Sequence, residues 1–216
     1  MLVKLCQIET PFPEKFGIPR QPLLIKEALG IMRFPKTDFY AEAFRGIENH
    51  SHLWLIFEFS AIHPDEVKAL VRPPRFEGKE KLGVFATRSP HRPNRLGLSV
   101  VEFERLEETK KEIILTVKGV DLLDGTPILD IKPYVPYVDS LPQARSLFHS
   151  APEFSPVEWK CDTPEEKKLI EKVIALDPRP GQSKESEEEF GVSVAGWNVR
   201  FKKSGDKFLI LKINKG

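Results

Sequence analysis

Basic side chains are concentrated in one stretch of the sequence, from Val71 to Gly97. Between Arg72 and Arg95 the chain has seven Lys or Arg residues and two Glu residues, although the formal net charge of all 216 residues is only +1. A guanidinium group binds phosphate oxygens with paired donors, so an arginine-rich surface is suited to binding phosphate. The cations of the stretch are Arg72, Arg75, Lys79, Lys81, Arg88, Arg92 and Arg95.

Two pairs of prolines decide how this basic stretch is held. Proline has no backbone N–H and disfavours helical conformation in the residue before it, so the basic residues are predicted to lie on loops. The apolar run from Leu82 to Ala86 is predicted to be a strand that fixes both loops. An alternative remains open, in which these are ordinary surface loops whose arginines bind carbonyl and carboxylate oxygens of the same chain. The prolines are Pro73, Pro74, Pro90 and Pro93.

Aspartates recur in the segment VDLLDGTPILDIKPYVPYVDS. Carboxylates that lie beside apolar strands can orient a cation or accept a proton. The alternative is that they are turn residues whose side chains bond to their own backbone, as the DGTP sequence at Asp124 favours. The four are Asp121, Asp124, Asp130 and Asp139.

No metal site is predicted. His50 and His52 would project to one side of a strand, as two ligands do, but no third ligand is close in sequence. Cys6 and Cys161 are isolated and are interpreted as reduced core residues. The sequence also lacks the motifs GxGxxG and GxxxxGK[ST], so no glycine-rich nucleotide-binding loop is predicted. The motifs GxSxG and HExxH are absent as well, so nothing in the sequence indicates a common hydrolase or a metalloprotease.

Length and composition predict one main domain, residues 1–145, and a small appendage, residues 157–216, joined by a Ser- and Pro-rich linker within residues 141–156. A hydrophobic content of 40% is sufficient for a packed core. No apolar run approaches the roughly 20 residues of a membrane-spanning helix, and the N-terminus is unlike a signal peptide. We therefore expect a cytoplasmic protein without a membrane partner.

The order of predicted elements indicates a mainly β fold. Apolar runs predict strands at residues 2–8, 51–59, 82–86, 96–106, 111–118, 131–138, 190–201 and 207–213, of which the fourth and fifth form a hairpin. One helix is predicted to begin at Thr163, where Thr-Pro-Glu-Glu is typical of a capping box. Many strands and a single late helix favour an antiparallel β-barrel with a small C-terminal α+β appendage.

Several separated peptides carry a resemblance to a known family. They are PRQP, SHLW, VRPPR, GVFATRSPHRPNRLGLSVVE, DLLDGTPILDIKPYVP and DPRP, in this order along the chain. They closely resemble the TsaA-like family, the TrmO tRNA methyltransferases. The resemblance implies a homodimeric β-barrel enzyme that uses S-adenosylmethionine to methylate the exocyclic amine of threonylcarbamoyladenosine, beside the anticodon of tRNA.

The resemblance also implies a cofactor site, residue by residue. The positions that match the family's motifs are Gln21, Pro22, Leu23, Ala61, Ile62, Arg88, Leu98, Lys118, Gly119, Val120 and Asp121. Ala61 and Ile62 are apolar where the family pattern is polar, so only a backbone contact is expected there. Leu98, Gly119 and Val120 have the alternative interpretation of strand packing.

The residues expected to contact the tRNA that accepts the methyl group are assigned from charge and from the resemblance together. Asp121 and Asp124 are candidates for holding the cofactor or accepting the proton that the amine releases. The DPRP segment is expected to place Arg179 near the active site of a partner subunit. Two alternatives remain open: a tRNA-binding module without catalysis, and a methyltransferase acting on another RNA or a small molecule. The residues expected to contact the anticodon loop are Arg72, Arg75, His91, Arg92, Asn94 and Arg95.

Overall fold

Strands make up most of the regular structure. The computed structural model describes residues 2–73, 80–148, 151–180 and 186–216. In chain order the strands are β1 (Cys6–Glu9), β2 (Leu29–Pro35), β3 (His52–Glu58), β4 (Leu70–Val71), β5 (Leu82–Gly83), β6 (Leu96–Glu108), β7 (Glu112–Lys118), β8 (Thr126–Pro133), β9 (Val157–Trp159), β10 (Phe190–Val194), β11 (Trp197–Ser204) and β12 (Lys207–Lys215). The helices are α1 (Asp38–Ala43), α2 (Pro136–Asp139) and α3 (Lys167–Ala175).

Six strands close into an antiparallel barrel in the order β1-β2-β7-β6-β3-β8, and β8 pairs with β1 to complete it. Alternate residues point inward: in β3, Leu53, Leu55 and Phe57 are buried, and the residues between them are partly exposed. This period of two is the pattern of a strand that buries one face. The predicted fold class, a mainly β chain built on an antiparallel barrel, is confirmed.

The long hairpin of β6 and β7 confirms the hairpin predicted from the sequence. Thr109 closes its turn, because the Thr109 side chain accepts hydrogen bonds from the backbone N–H groups of Lys111 and Glu112. A Cβ atom at Gly97 would lie only 2.2 Å from Cε2 of Phe57. The glycine therefore allows the Phe57 ring to pack directly against β6, the strand that leads into the site.

The strand predicted for residues 82–86 is wrong beyond its first two residues. Only Leu82–Gly83 pairs, with Leu70–Val71, and the next three residues form a single 3-10 turn. The Thr87 hydroxyl donates to the carbonyl oxygen of Val84 at 2.9 Å. A side chain that bonds to nearby backbone in this way competes with an extended path.

The strand predicted for residues 131–138 is wrong in position, because β8 runs from Thr126 to Pro133. β8 ends at Pro133, and Pro136 begins α2, where a proline fits because the first helical turn needs no donor from it. Asp139, at the end of this helix, accepts hydrogen bonds from Nε1 of Trp54 at 2.9 Å and from the backbone N–H of Val135 at 2.8 Å. This contact fixes the short helix to the outside of β3.

The C-terminal residues form an α+β unit, as predicted. β10, β11, β12 and β9 make a four-stranded sheet in that order, in which β9 runs parallel to β12. The apolar stripe of α3, which includes Leu169, Ile170 and Val173, is buried. It belongs to the same buried cluster as the inward-facing residues of the sheet, among them Val199 and Phe201.

Two details of this unit differ from the prediction. The helix begins at Lys167 rather than Thr163, and no side chain caps it. The strand predicted for residues 190–201 is a hairpin, because Ala195 and Gly196 have φ angles of 52° and 76°. Two consecutive residues with positive φ are typical of the tight turn that joins neighbouring antiparallel strands.

The barrel and the C-terminal unit are packed together. Their buried side chains form one cluster, the Ser193 N–H donates to Oε1 of Glu14 at 2.6 Å, and Lys172 Nζ lies 2.7 Å from Oε2 of Glu27. The division into residues 1–145 and 157–216 remains a proposal.

Arg179 of the DPRP segment is 3% exposed. Its guanidinium donates to both carboxylate oxygens of Asp177, at 2.7 and 3.0 Å, and lies 5.3 Å from the centroid of the Phe208 ring. The expectation that this arginine reaches a partner's active site gains no support, since the side chain is held inside its own unit.

None of the helices in the described ranges is both long enough and apolar enough to cross a membrane.

Candidate active site

The N-terminal loop and the turn after β7 meet through their backbones. Leu23 has a φ of 62°, an uncommon conformation for a residue with a side chain, and its N–H donates to the carbonyl oxygen of Gly119 at 2.8 Å. Gln21 and Pro22 precede this contact, and Asp121 follows it. The structure thus brings together two segments that the sequence places almost 100 positions apart.

Gly119 is required for this approach. Its φ is 77°, and a Cβ atom there would lie 2.6 Å from Cδ2 and 3.0 Å from Cα of Leu23. A side chain at this position would push the two segments apart. The interpretation of Gly119 as simple strand packing is therefore incomplete, since its role is to let the N-terminal loop close over the turn.

Arg88 joins the N-terminal loop to the basic stretch. Its Nη1 donates to Oε1 of Gln21 at 2.6 Å. The preceding residue, Thr87, is buried and accepts a hydrogen bond from the Ser89 N–H at 3.2 Å. A rigid local backbone therefore holds an arginine whose head remains exposed.

Asp121 is the titratable group with a shifted pKa in this region. Its carboxyl accepts a hydrogen bond from the Ser99 hydroxyl at 2.6 Å. Burial of the carboxyl raises the pKa of Asp121 to about 6, although the Ser99 hydrogen bond and the positive charge of Arg88 act in the opposite direction. A carboxyl group of this kind can change its protonation state near neutral pH.

Asp124, the other candidate for catalysis, has a structural partner. Its Oδ1 accepts a hydrogen bond from the Thr10 N–H at 2.8 Å, and its own N–H donates to the Phe12 carbonyl oxygen at 2.8 Å. These bonds tie the turn before β8 to the end of β1. The turn interpretation left open by the sequence describes Asp124 well.

A cavity of about 670 Å³ opens beside Gln21 and Arg88. Its described lining includes Arg20, Arg72 and His91, and no Asp or Glu. Residues of the linker, Phe148 among them, complete its wall. The cavity therefore offers cations and one aromatic ring, which suits an anionic or nucleotide-like ligand.

The predicted RNA-contacting residues have varied surroundings. Arg72 and Asn94 are exposed. His91 lies in the cavity wall, with its Nδ1 2.9 Å from the Glu66 carbonyl oxygen. Arg75 lies outside the described residues.

Two further arginines of the basic stretch stabilise loops of their own chain. Arg92 donates to the carbonyl oxygens of Thr87 and Ser89, each at 3.2 Å. Arg95, with a φ of 49°, donates to Glu58 Oε1 and to the Ile62 carbonyl oxygen, both at 2.8 Å. Here the structure supports the alternative in which arginines bind carbonyl and carboxylate oxygens, and a contact of these two with RNA stays a prediction.

Of the eleven predicted cofactor positions, Gln21 and Arg88 line the described cavity, and nine do not: Pro22, Leu23, Ala61, Ile62, Leu98, Lys118, Gly119, Val120 and Asp121. Leu98 is 52% exposed on the outside of β6, and Lys118 pairs with Glu104. Val120 is buried in the barrel core. A role of these residues in cofactor binding stays a prediction.

Sequence reasoning missed Ser99 and Phe148. Ser99 is 2% exposed at an inward position of β6. A polar residue among the apolar residues of a predicted strand was the sequence signal that could have identified it. Phe148 belongs to a linker without periodicity, and no sequence pattern links it to the cavity.

Comparison with known proteins shows similarity along the whole chain. The model of the tRNA-methyltransferase O N-terminal domain matches residues 7–140, and the model of the TrmO C-terminal domain matches residues 148–216. The tRNA (adenine(37)-N6)-methyltransferase of Escherichia coli strain K12 is 39% identical over 212 residues, which cover 90% of this chain and 89% of that protein.

A curated relative and a solved structure, both from Pseudomonas aeruginosa, extend this similarity. RcsF, whose assigned name is that of an S-adenosylmethionine-dependent methyltransferase, is 43% identical over 206 residues, covering 89% of this chain and 87% of that one. A crystal structure of TrmO superposes with a TM-score of 0.80 at 35% identity, and covers 100% of this chain and 97% of that chain.

Proposed function

The chain belongs to the tRNA-methyltransferase O family, and from that premise we propose that it methylates the exocyclic amine of threonylcarbamoyladenosine at position 37 of tRNA. One relative is named a tRNA (adenine(37)-N6)-methyltransferase, and the name of another gives S-adenosylmethionine as the methyl donor. The single structural observation that carries the proposal is the junction of Gln21, Arg88 and Asp121 beside a cationic cavity.

The residues at this junction fit S-adenosylmethionine by their chemistry. The cofactor carries an amino group, a carboxylate and a nucleoside, and Gln21, Arg88 and Asp121 offer an amide, a guanidinium and a carboxyl. Gly119 permits the close approach of the Leu23 backbone, which brings the N-terminal loop with Gln21 to the turn that precedes Asp121. When bound, the cofactor supplies an electrophilic methyl group, and the protein supplies alignment.

Asp121 is the better candidate for proton transfer. The adenine amine becomes acidic as it is methylated, and a nearby carboxylate can accept the proton that it loses. A pKa of about 6 leaves Asp121 mostly ionised above neutral pH, and the Ser99 hydroxyl holds one of its oxygens at 2.6 Å. Asp124 is already bonded to the backbone of Thr10 and is assigned a structural role.

The cavity wall supports recognition of an anticodon loop. Bases in such a loop are unstacked and can be held by aromatic rings and cations without opening a duplex. Phe148, Arg20, Arg72 and His91 provide these groups, and the absence of carboxylates from the described lining keeps the potential favourable for phosphate. We assign the loop contact to this wall.

We also propose that the protein is a homodimer in the cytoplasm, where its tRNA substrate is found. An apolar face on the outside of the barrel supports the dimer: Leu98 is 52% exposed and lies opposite Ile56, and Tyr137 of α2 is 88% exposed. Apolar surface of this kind is typical of an interface between subunits. Sedimentation of the wild type and of Leu98→Asp would test this, because the variant should sediment as a monomer.

The proposed reaction is tested with labelled S-adenosylmethionine and two matched tRNAs, with and without the threonylcarbamoyl group. After digestion to nucleosides, label is expected in methylated threonylcarbamoyladenosine alone. Label in unmodified adenosine or another nucleoside would refute the proposed acceptor. Binding of tRNA without transfer would leave the non-catalytic alternative.

A further inference from the structure

The outer face of the C-terminal sheet, opposite α3, is strongly cationic. Side chains alternate along β11 and β12, so the residues between the buried Val199, Phe201 and Phe208 point away from the helix. The outward positions of the two strands include Asn198, Arg200, Lys202, Lys207, Leu209, Lys212 and Asn214, with a register shift between Arg200 and Phe201.

Two of these cations face each other across the strands. Arg200 of β11 is the direct partner of Lys212 on β12, and both side chains are exposed. Like charges at directly opposite positions destabilise a sheet. Within the described ranges, Arg200, Lys202 and Lys212 form no ion pair with a carboxylate. The fold therefore places Arg200 and Lys212 at neighbouring positions without a carboxylate partner among the described residues.

The guanidinium of Arg200 extends from β11 over the neighbouring strand, β10. On its other side Arg200 is opposite Gly191 of β10, and a Cβ at Gly191 would lie 3.1 Å from the Arg200 Nη1. The glycine leaves room for the guanidinium to lie across β10. Ser193 and Asn198, joined by a 2.8 Å hydrogen bond, continue the polar surface beside it.

Acidic groups near this face include Asp206, whose charge acts on Lys207, and Glu158 of β9. The Glu158 carboxylate is shared by Lys160 and by Lys207, whose Nζ lies 2.6 Å away. Hydrogen bonds from these two lysines lower the pKa of Glu158 to about 2. Glu158 therefore stays ionised, and its negative charge is already balanced by Lys160 and Lys207. It does not offset the charge of Arg200, Lys202 and Lys212.

We propose that this face, which we call the Arg200–Lys212 face, binds the phosphodiester backbone of RNA, as a second contact surface separate from the cavity. Lysine and arginine side chains on the surface of a sheet contact phosphates without reading sequence. The inference rests on the proposed function in one respect, namely that the RNA is the tRNA that is methylated. Asn198 and Asn214 add neutral donors to the same phosphates.

The test compares two variants that remove the same charge. Arg200→Gln/Lys212→Gln neutralises the face, and the control Arg33→Gln/Lys36→Gln removes two cations of the barrel that already pair with carboxylates at 2.8 and 2.7 Å. Affinity for a tRNA transcript is measured between 50 and 250 mM KCl. At about 150 mM we expect the first variant to bind roughly tenfold more weakly, with a salt slope smaller by about 1.5, and the control to resemble the wild type.

A third variant separates binding from folding. Lys212→Glu places a carboxylate opposite Arg200, so the melting temperature should rise while tRNA affinity falls. The affinity of each variant for S-adenosylmethionine should equal that of the wild type.

Equal tRNA affinity of Arg200→Gln/Lys212→Gln and wild type at every salt concentration would overturn the proposal, and would assign the face to another anion such as an acidic protein segment. Equal losses in this variant and in the control would overturn it as well. If the wild type bound tRNA with the expected salt slope but transferred no methyl group to it, the proposed function would fail and the RNA surface would stand.

Discussion

Replacing Asp121 with Asn should stabilise the protein above pH 6 while removing activity. The carboxyl has an ordinary pKa of 3.8 and a pKa of about 6 in the folded chain, where burial disfavours its charge. Because the folded state holds the proton more tightly than the unfolded state, the stability that this group contributes is present below pH 4 and is lost as pH rises to about 6.

The size of the expected stabilisation follows from the shift in the pKa of Asp121. A difference of about 2 units corresponds to about 3 kcal/mol at about 1.4 kcal/mol per unit. Asp121 is partly exposed, so solvent reduces this value, and we expect about 1 to 3 kcal/mol. Asn has nearly the same shape and no charge, so the variant avoids the cost of burying a carboxylate.

The assay is urea unfolding of both proteins at several pH values between 4 and 8. The free energy of unfolding of Asp121→Asn, minus that of the wild type, should grow between pH 4 and 6 and stay constant above. A difference that does not change with pH would show that the Asp121 carboxyl is not disfavoured in its charged form, and the reasoning about its role would be refuted.

Three further predictions address the site. Arg88→Ala should bind S-adenosylmethionine at least tenfold more weakly in calorimetry, because the side chain holds Gln21 at 2.6 Å and places a charge near Asp121; an unchanged affinity would remove Arg88 from the cofactor site. Gly119→Ala should lower the free energy of unfolding by about 1 to 3 kcal/mol and weaken cofactor binding. The control Gly125→Ala has a similar φ of 74° but nothing within 4 Å of the added Cβ, so it should lose only stability. Equal cofactor affinity in the two variants would contradict the role of Gly119. The kcat/KM of the wild type should rise with pH around 6, and Asp121→Asn should lose about two to four orders of magnitude; full activity would exclude proton transfer by Asp121.

The sequence predicts the strands that form long apolar runs bounded by charged or turn residues. β3 and the β6–β7 hairpin are in this class, because each buries one face of a closed barrel. The segment after Leu82 is equally apolar, but the bond from the Thr87 hydroxyl to the backbone turns it, and periodicity carries no information about that bond.

The site is predictable only in part, for a related reason. Motifs place Gln21, Arg88 and Asp121 on the list of candidates, but the contact of their segments depends on Gly119 and on the closure of the barrel. The sequence also cannot tell which arginines are satisfied within the chain, and Arg95 is an example, since its carboxylate partner Glu58 lies 37 positions away.

A crystal structure of the chain with S-adenosylmethionine would decide whether the junction of Gln21, Arg88 and Asp121 is the cofactor site. We expect density for the cofactor in contact with Gln21, Arg88 and the Gly119–Asp121 turn, with its methyl group facing the cavity lined by Arg72 and His91. Cofactor density in another part of the molecule, with this junction unchanged and empty, would refute the proposed site.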